Sequence, residues 1–330
     1  MIMKILTVSA GLALSALVVP SAAQAQQKTP VLRFGHMNSP THIVNLGGQR
    51  LKEAMAKASG GAVQIDLFPS AQLGENSAVL EQLTLGSNII TQVGPGTIAQ
   101  YVPNYSVMVH PFLFKNWGEV KKVANSPLVK GWEKDLVKYN IKPLCFFNFG
   151  TRDLYTRNKA VRESADTTGL KIRVQPVAIY TELVKSMGGQ ATPMPWPEVY
   201  SALSQGVIDA AEAPPNAVID QKHYEVAKFY MKTNHILDAA MLVMSLKAFK
   251  ALNPEQQKAM ATASDAACDW MTEESSKVYA KSVAELEKHG MTIISDVDRP
   301  AFEKAAESIQ KKFPEWSPNL VADIRKQLGR

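Results

Sequence analysis

Five-residue apolar runs alternate with stretches of helical period through the first third of this chain, and that alternation restricts it to an α/β fold. Val31 to Gly35 reads as a strand leading into a polar turn, His36 to Thr41. A helix is expected over roughly Ile43 to Ala58, where Leu46, Leu51, Ala54, Met55 and Ala58 recur near helical spacing before Gly60-Gly61 ends it. Val63 to Phe68 is a second strand, closed by Pro69. A helix over Asn76 to Leu85 leads to a third strand, Ile89 to Val93, stopped at Gly94-Pro95-Gly96. Strands separated in this way by helices form parallel sheet.

Beyond an aromatic corner at Pro111 to Phe114, two helical stretches part near Ser126-Pro127, because proline disfavours helix at the residue before it. Lys142 to Phe149 reads as a buried strand, and the alternation restarts at Arg152, which makes the neighbourhood of Gly150 a hinge candidate. Asn234 to Ser245 reads as the return crossing. Asn253-Pro254-Glu255-Gln256 is a capped helix start. The helical pattern runs from there to about His289-Gly290, and about 35 residues at 1.5 Å each give roughly 50 Å, enough to cross two lobes. A chain of this length is expected to divide into two compact lobes. We expect one from residues 26–149 with about 239–279, and the other from 150–238 with about 280–330. C-terminal helices over Ala301 to Lys312 and Asn319 to Leu328 leave dimerisation open.

Residues 1–25 read as an export signal: Lys4, an apolar stretch from Ile5 to Val19, and the small-residue site Ala23-Gln24-Ala25. A soluble periplasmic protein is expected, cleaved near Ala25. The formal charge is +6, yet Lys and Arg are scattered among Asp and Glu with no aromatic-basic stripe, so nucleic acid is not an expected partner. A mild positive balance suits an anionic small molecule. Cys145 lies in an apolar run and Cys268 in an alanine-rich helical stretch. We read them as two buried thiols, with a single bridge as the alternative in an oxidising compartment.

The six histidines form no HExxH or paired His/Cys motif, Gly94-Pro95-Gly96 lacks the third glycine of a phosphate cradle, and no GxSxG elbow occurs. No metal, cofactor or catalytic residue is expected. Arg173 is different. It sits in the apolar strand Leu170-Lys171-Ile172-Arg173-Val174, where a guanidinium is costly unless an anion meets it. That anion is either a ligand carboxylate or a structural partner such as Glu198 or Glu212; an edge arginine reaching water is the third option. On pattern alone Arg152, after Gly150-Thr151, reads as a solvated loop arginine.

Several segments, in order, carry a resemblance. They are Phe34 to Asn38 (FGHMN), Phe68 to Gly74 (FPSAQLG), Pro111-Phe112, Gly150-Thr151-Arg152, Gly169 to Val174 (GLKIRV), Met187-Gly188-Gly189, Thr192-Pro193-Met194, Glu198-Val199-Tyr200, Gly206 to Asp209, His223 to Lys228, and Thr233-Asn234-His235. Together they resemble the solute-binding proteins of tripartite ATP-independent periplasmic (TRAP) transporters, the family of dicarboxylate- and sialic-acid-binding receptors. The resemblance covers nearly the whole mature chain. It implies a two-lobe periplasmic-binding fold, type II-like, with strands crossing between lobes and a cleft that closes on its ligand.

The resemblance further implies that Arg173 makes the main salt bridge to a ligand carboxylate and that Arg152 is a second ligand arginine. An asparagine commonly follows the glutamate matched by Glu212; here Ala213 stands there, so the ligand needs no amide or Asn216 reaches in. Trp196 falls where family pockets hold an aromatic, with core packing as its alternative role. Glu212, Asn38, Phe149 and Asn148 complete the candidate ligand residues. The implied ligand is a sugar acid, a short dicarboxylate or a keto or hydroxy acid, and the implied partners are TRAP membrane subunits. A receptor for a membrane sensor kinase would use the same chemistry. A secreted enzyme on organic acids would need a base beside the arginine, and only Glu212 and Asp209 offer one.

Overall fold

A computed structural model describes residues 31–330; the export signal read at 1–25 lies outside the described residues. Strands β1 (Val31–Gly35), β2 (Gln64–Phe68) and β3 (Ile89–Val93) pair in parallel, with the helix Ile43–Ala58 as the crossover between the first two. Their apolar side chains leave water: Leu32, Phe34, Ile65, Ile89 and Ile90 are fully buried. A buried residue of this kind contributes about 1.5–3 kcal/mol. Further along, β5 (Lys171–Val174), β6 (Gln190–Pro193) and β7 (Ala210–Ala213) make a second parallel group.

Two long antiparallel strands join the groups. These are β4 (Ile141–Thr156) and β8 (Phe229–Ser245), and the single sheet has the order β2-β1-β3-β8-β4-β7-β5-β6, with β9 (Thr292–Ile294) beside β8. The sequence suggested a strand ending near Gly150 and a fresh start at Arg152. Instead β4 runs through both, and β8 begins at Phe229 rather than Asn234. The two strands pair from Ile141–Ser245 to Thr156–Phe229, which satisfies most of the backbone along the crossing. The register shifts three times, between Pro143 and Cys145, between Asn148 and Gly150 and between Arg152 and Leu154. Gly150 takes φ of 136°, which a side chain disfavours, and a Cβ there would meet Pro214 at 2.8 Å.

The long helix Pro254–Lys288 begins with a reciprocal cap, Asn253 accepting from the Gln256 N–H and Gln256 accepting from the Asn253 N–H. Its first half buries Met260, Ala263, Ala267, Cys268 and Met271, and its second half buries Ser275, Ser282 and Leu286. Cys145 and Cys268 are joined as a disulfide, not two thiols: strand β4 and this helix bring their Cα atoms to 6.3 Å. Further along the crossing, the Asp153 carboxylate accepts from Tyr230 Oη at 3.0 Å, Tyr279 Oη at 2.6 Å and the Asn234 N–H at 2.7 Å. It thereby ties β4, β8 and the helix together. The C-terminal stretch expected as one helix over 301–312 is a helix at Arg299–Ala306 and a separate 3-10 turn at Ile309–Lys312. No helix among the described residues is long and apolar enough to cross a membrane.

Candidate functional site

A cavity opens beyond the carboxyl ends of the two parallel groups, where open α/β sheets bind ligands. Protein atoms leave about 600 Å³ there, counting the solvent at its mouth. The turn after β1 contributes Met37 and Asn38, β3 contributes Gln92, and the chain after β5 contributes Gln175. The crossing strands supply Phe149, Arg152 and Asp238 as its floor.

Arg173 projects from β5 and is 1 % exposed. Its Nε and Nη2 donate to the Met194 carbonyl at 3.0 and 2.8 Å, which fixes the plane of the guanidinium. Nη1 donates to nothing among the described residues, and no carboxylate among them lies within 4.0 Å of the group. Burial pulls Arg173 down to about 10, the charge of Glu212 opposing it, so it stays protonated at neutral pH. Trp196 lies 5.2 Å from its Cζ, ring centroid to atom. A buried cation with a donor edge on a cavity is a site for an anion.

Arg152 is equally buried but fully matched. It is a buried ion-pair residue rather than a solvated loop arginine. Nη2 donates to Glu212 Oε1 at 2.7 Å and to the Glu212 carbonyl at 2.9 Å, Nε donates to Glu212 Oε2, and Nη1 donates to Asp238 Oδ2 at 2.7 Å. Burial would push the Glu212 carboxyl up, but the Arg152 charge and hydrogen bonds, with His235 at 3.5 Å, hold it at about 2. Burial raises the Asp238 carboxyl, with Arg152 opposing. Arg152 Cζ also lies 5.2 Å from the Tyr180 ring.

Behind Trp196 the His223 ring sits 4.8 Å away, and its Nδ1 meets Tyr155 Oη at 2.7 Å. Burial, helped by Arg173, lowers His223 to about 3, so the imidazole is neutral and leaves Arg173 as the charge on this wall. Outside the cavity lining, Ser39 and Thr41 from the β1 turn donate to Asp220, at the end of helix Pro215–Asp220, with Thr41 Oγ1 at 3.3 Å.

Of the residues singled out from the sequence, Arg173, Arg152, Trp196, Asn38 and Phe149 line this cavity. Glu212 lies behind Arg152 and does not reach it. Asn148 turns its side chain to the long helix, Nδ2 donating to Ser276 Oγ at 3.4 Å. Asn216 faces His42 Nε2 at 3.4 Å, while Ala213 itself lines the wall. Asp209 accepts from the Lys171 N–H at 2.9 Å, outside the cavity lining. Sequence reasoning missed Gln92, Gln175, Tyr180 and Asp238. Gln92 and Asp238 carried the signal that exposed Arg173, a polar residue inside an apolar strand, and it was read at only one of the three strands.

Residues 34–315 match the family model DctP, bacterial extracellular solute-binding protein, family 7. The 2,3-diketo-L-gulonate-binding periplasmic protein YiaO of Escherichia coli is 27% identical over 303 residues, 92% of each chain. A TRAP periplasmic solute-binding protein of Actinobacillus succinogenes, solved with bound L-galactonate, superposes with a TM-score of 0.88 at 31% identity, covering 91% of this chain and 99% of that one. One from Fusobacterium, solved with sn-glycerol-3-phosphate, gives a TM-score of 0.87 at 29% identity, covering 91% and 97%.

Proposed function

The chain belongs to family 7 of the bacterial extracellular solute-binding proteins, the DctP family, and we propose that it captures a small organic acid in its interlobe cleft through an Arg173–carboxylate salt bridge. The family consists of substrate-binding receptors, and the delivery we assign to this one is to TRAP membrane subunits from the periplasm. In this reading the lobes are residues 26–149 with about 239–279 and 150–238 with about 280–330, flexing about the β4–β8 crossing.

One observation carries the proposal: Arg173 is buried, charged and held in plane, and its cavity-facing edge has no anion among the described residues. A guanidinium offers two parallel donors to a carboxylate, and closure removes the water that competes for them. Binding that engages both lobes favours the closed state, the form a membrane partner reads. Similarity to receptors of L-galactonate and 2,3-diketo-L-gulonate supports a sugar acid as the ligand. Against an enzyme, Glu212 is occupied by Arg152 and Asp209 by the Lys171 N–H, which leaves neither as a base.

A thermal-shift screen of the purified protein against sugar acids, hydroxy acids and short dicarboxylates tests this, since a ligand selective for the native state raises Tm. A raised Tm with at least one acid, and that acid recovered unchanged after incubation, is expected. No shift with any carboxylate, or turnover of the one that binds, counts against the receptor.

A further inference from the structure

We propose that Asp238 makes this cavity selective for ligands with a single negative charge, so that it takes a polyhydroxy monocarboxylate and rejects the corresponding dicarboxylate. The inference rests on the proposal that Arg173 receives the ligand's carboxylate. The charged side chains on the cavity wall are Arg152, Arg173 and Asp238, with Glu212 bonded behind Arg152. Two cations and two anions cancel before any ligand enters. Arg152 is already bracketed by Glu212 and Asp238, so a single donor edge, that of Arg173, awaits an anion.

Asp238 differs from Glu212 in how it is used. Its Oδ2 takes the Arg152 Nη1 hydrogen bond, but Oδ1 accepts none from the described residues, and the residue faces the cavity at 5 % exposure. A free carboxylate oxygen in a dry site accepts from a hydroxyl and repels a second carboxylate. The remaining polar wall is made of amides. Gln92 and Asn38 bond each other at 3.3 Å through Oε1 and Nδ2, and the Gln175 side chain has no partner among the described residues. Amides offer a donor and an acceptor each, which suits a row of hydroxyls and adds no cation for another anion. The relative holding sn-glycerol-3-phosphate shows that the fold itself does not set the charge of the ligand.

Calorimetry with matched pairs tests this on the wild-type chain: L-galactonate against galactarate, gluconate against glucarate, glycerate against tartronate. Each pair differs by one terminal carboxylate. In any pair that binds, the monoacid is expected to bind about tenfold or more tightly than the diacid, and Asp238→Asn to narrow that gap. A smaller or reversed gap in the wild-type chain overturns the proposal, as does a folded Asp238→Asn variant that keeps the gap in full. Failure of every acid to bind overturns the carboxylate reading itself, a separate result.

Discussion

Gly96 and Val177 approach so closely beside the cavity that a Cβ on Gly96 would lie 2.7 Å from Val177 Cγ1. Gly96 follows β3 and Val177 follows β5, so the contact lies between the two parallel groups that the proposed closure would draw together. Gly96 sits in helix Pro95–Ile98 without a positive φ, and a side chain is resisted there by space alone. Gly96→Val is therefore expected to weaken ligand affinity about tenfold or more while leaving stability within about 1 kcal/mol. Restoration by Val177→Ala in the double variant, measured by calorimetry, identifies the contact as the cause; no restoration removes it.

The two arginines are expected to separate cleanly. Arg173→Lys loses the planar fork but adds no unpaired anion, so affinity falls about 100-fold or more with little change in Tm. Arg152→Ala strands Glu212 and Asp238 in a dry interior and costs about 3–5 kcal/mol of stability. Urea unfolding and calorimetry on both variants check this, and a near-native affinity for Arg173→Lys counts against the salt bridge.

Removal of the disulfide is expected to act on stability far more than on binding. The bond closes a loop spanning 123 residues between β4 and the long helix. Opening such a loop costs about 3–5 kcal/mol through the unfolded chain. Cys145→Ser with Cys268→Ser lowers the urea midpoint accordingly, while ligand affinity, measured where the variant is folded, stays within about threefold.

Acid is expected to loosen the fold well above the range of ordinary carboxylates. Burial lowers His36, His42 and His110 from 6.5 to about 4, and His223 to about 3. Unfolded histidines take up protons below 6.5, folded ones only near those lower values, so the unfolded state binds more protons in between. Stability then falls as pH drops through that window, by roughly 1.4 kcal/mol per pH unit for each histidine. A Tm that stays constant from about pH 7 to about pH 5 contradicts the buried neutral imidazoles.

Much of this architecture was legible in the residues because local signals were strong. Helix Ile43–Ala58 and strand Ile89–Val93 stand where periodicity predicts them, and the Asn253–Gln256 cap starts its helix as the side chains require. The crossing was harder. Gly150 looked like a boundary, yet a glycine with positive φ serves equally well as a bulge inside a strand, and only the distant partner β8 decides between them. The cysteine pair failed for the same reason, since 123 residues of separation hide a proximity that tertiary packing creates. In the site, Arg173 stood out because one charge interrupts a short apolar run. Arg152 looked solvated because both its partners, Glu212 and Asp238, arrive from strands far away in sequence.

Three donors converge on the buried Asp153 carboxylate, two from β8 and one from the long helix, so loss of any one leaves two still holding it. Such a knot resists partial loosening. Asp153, the Tyr230–Asn234 stretch and Tyr279, far apart in sequence, are thereby pinned to a single point, and the crossing is at its stiffest there.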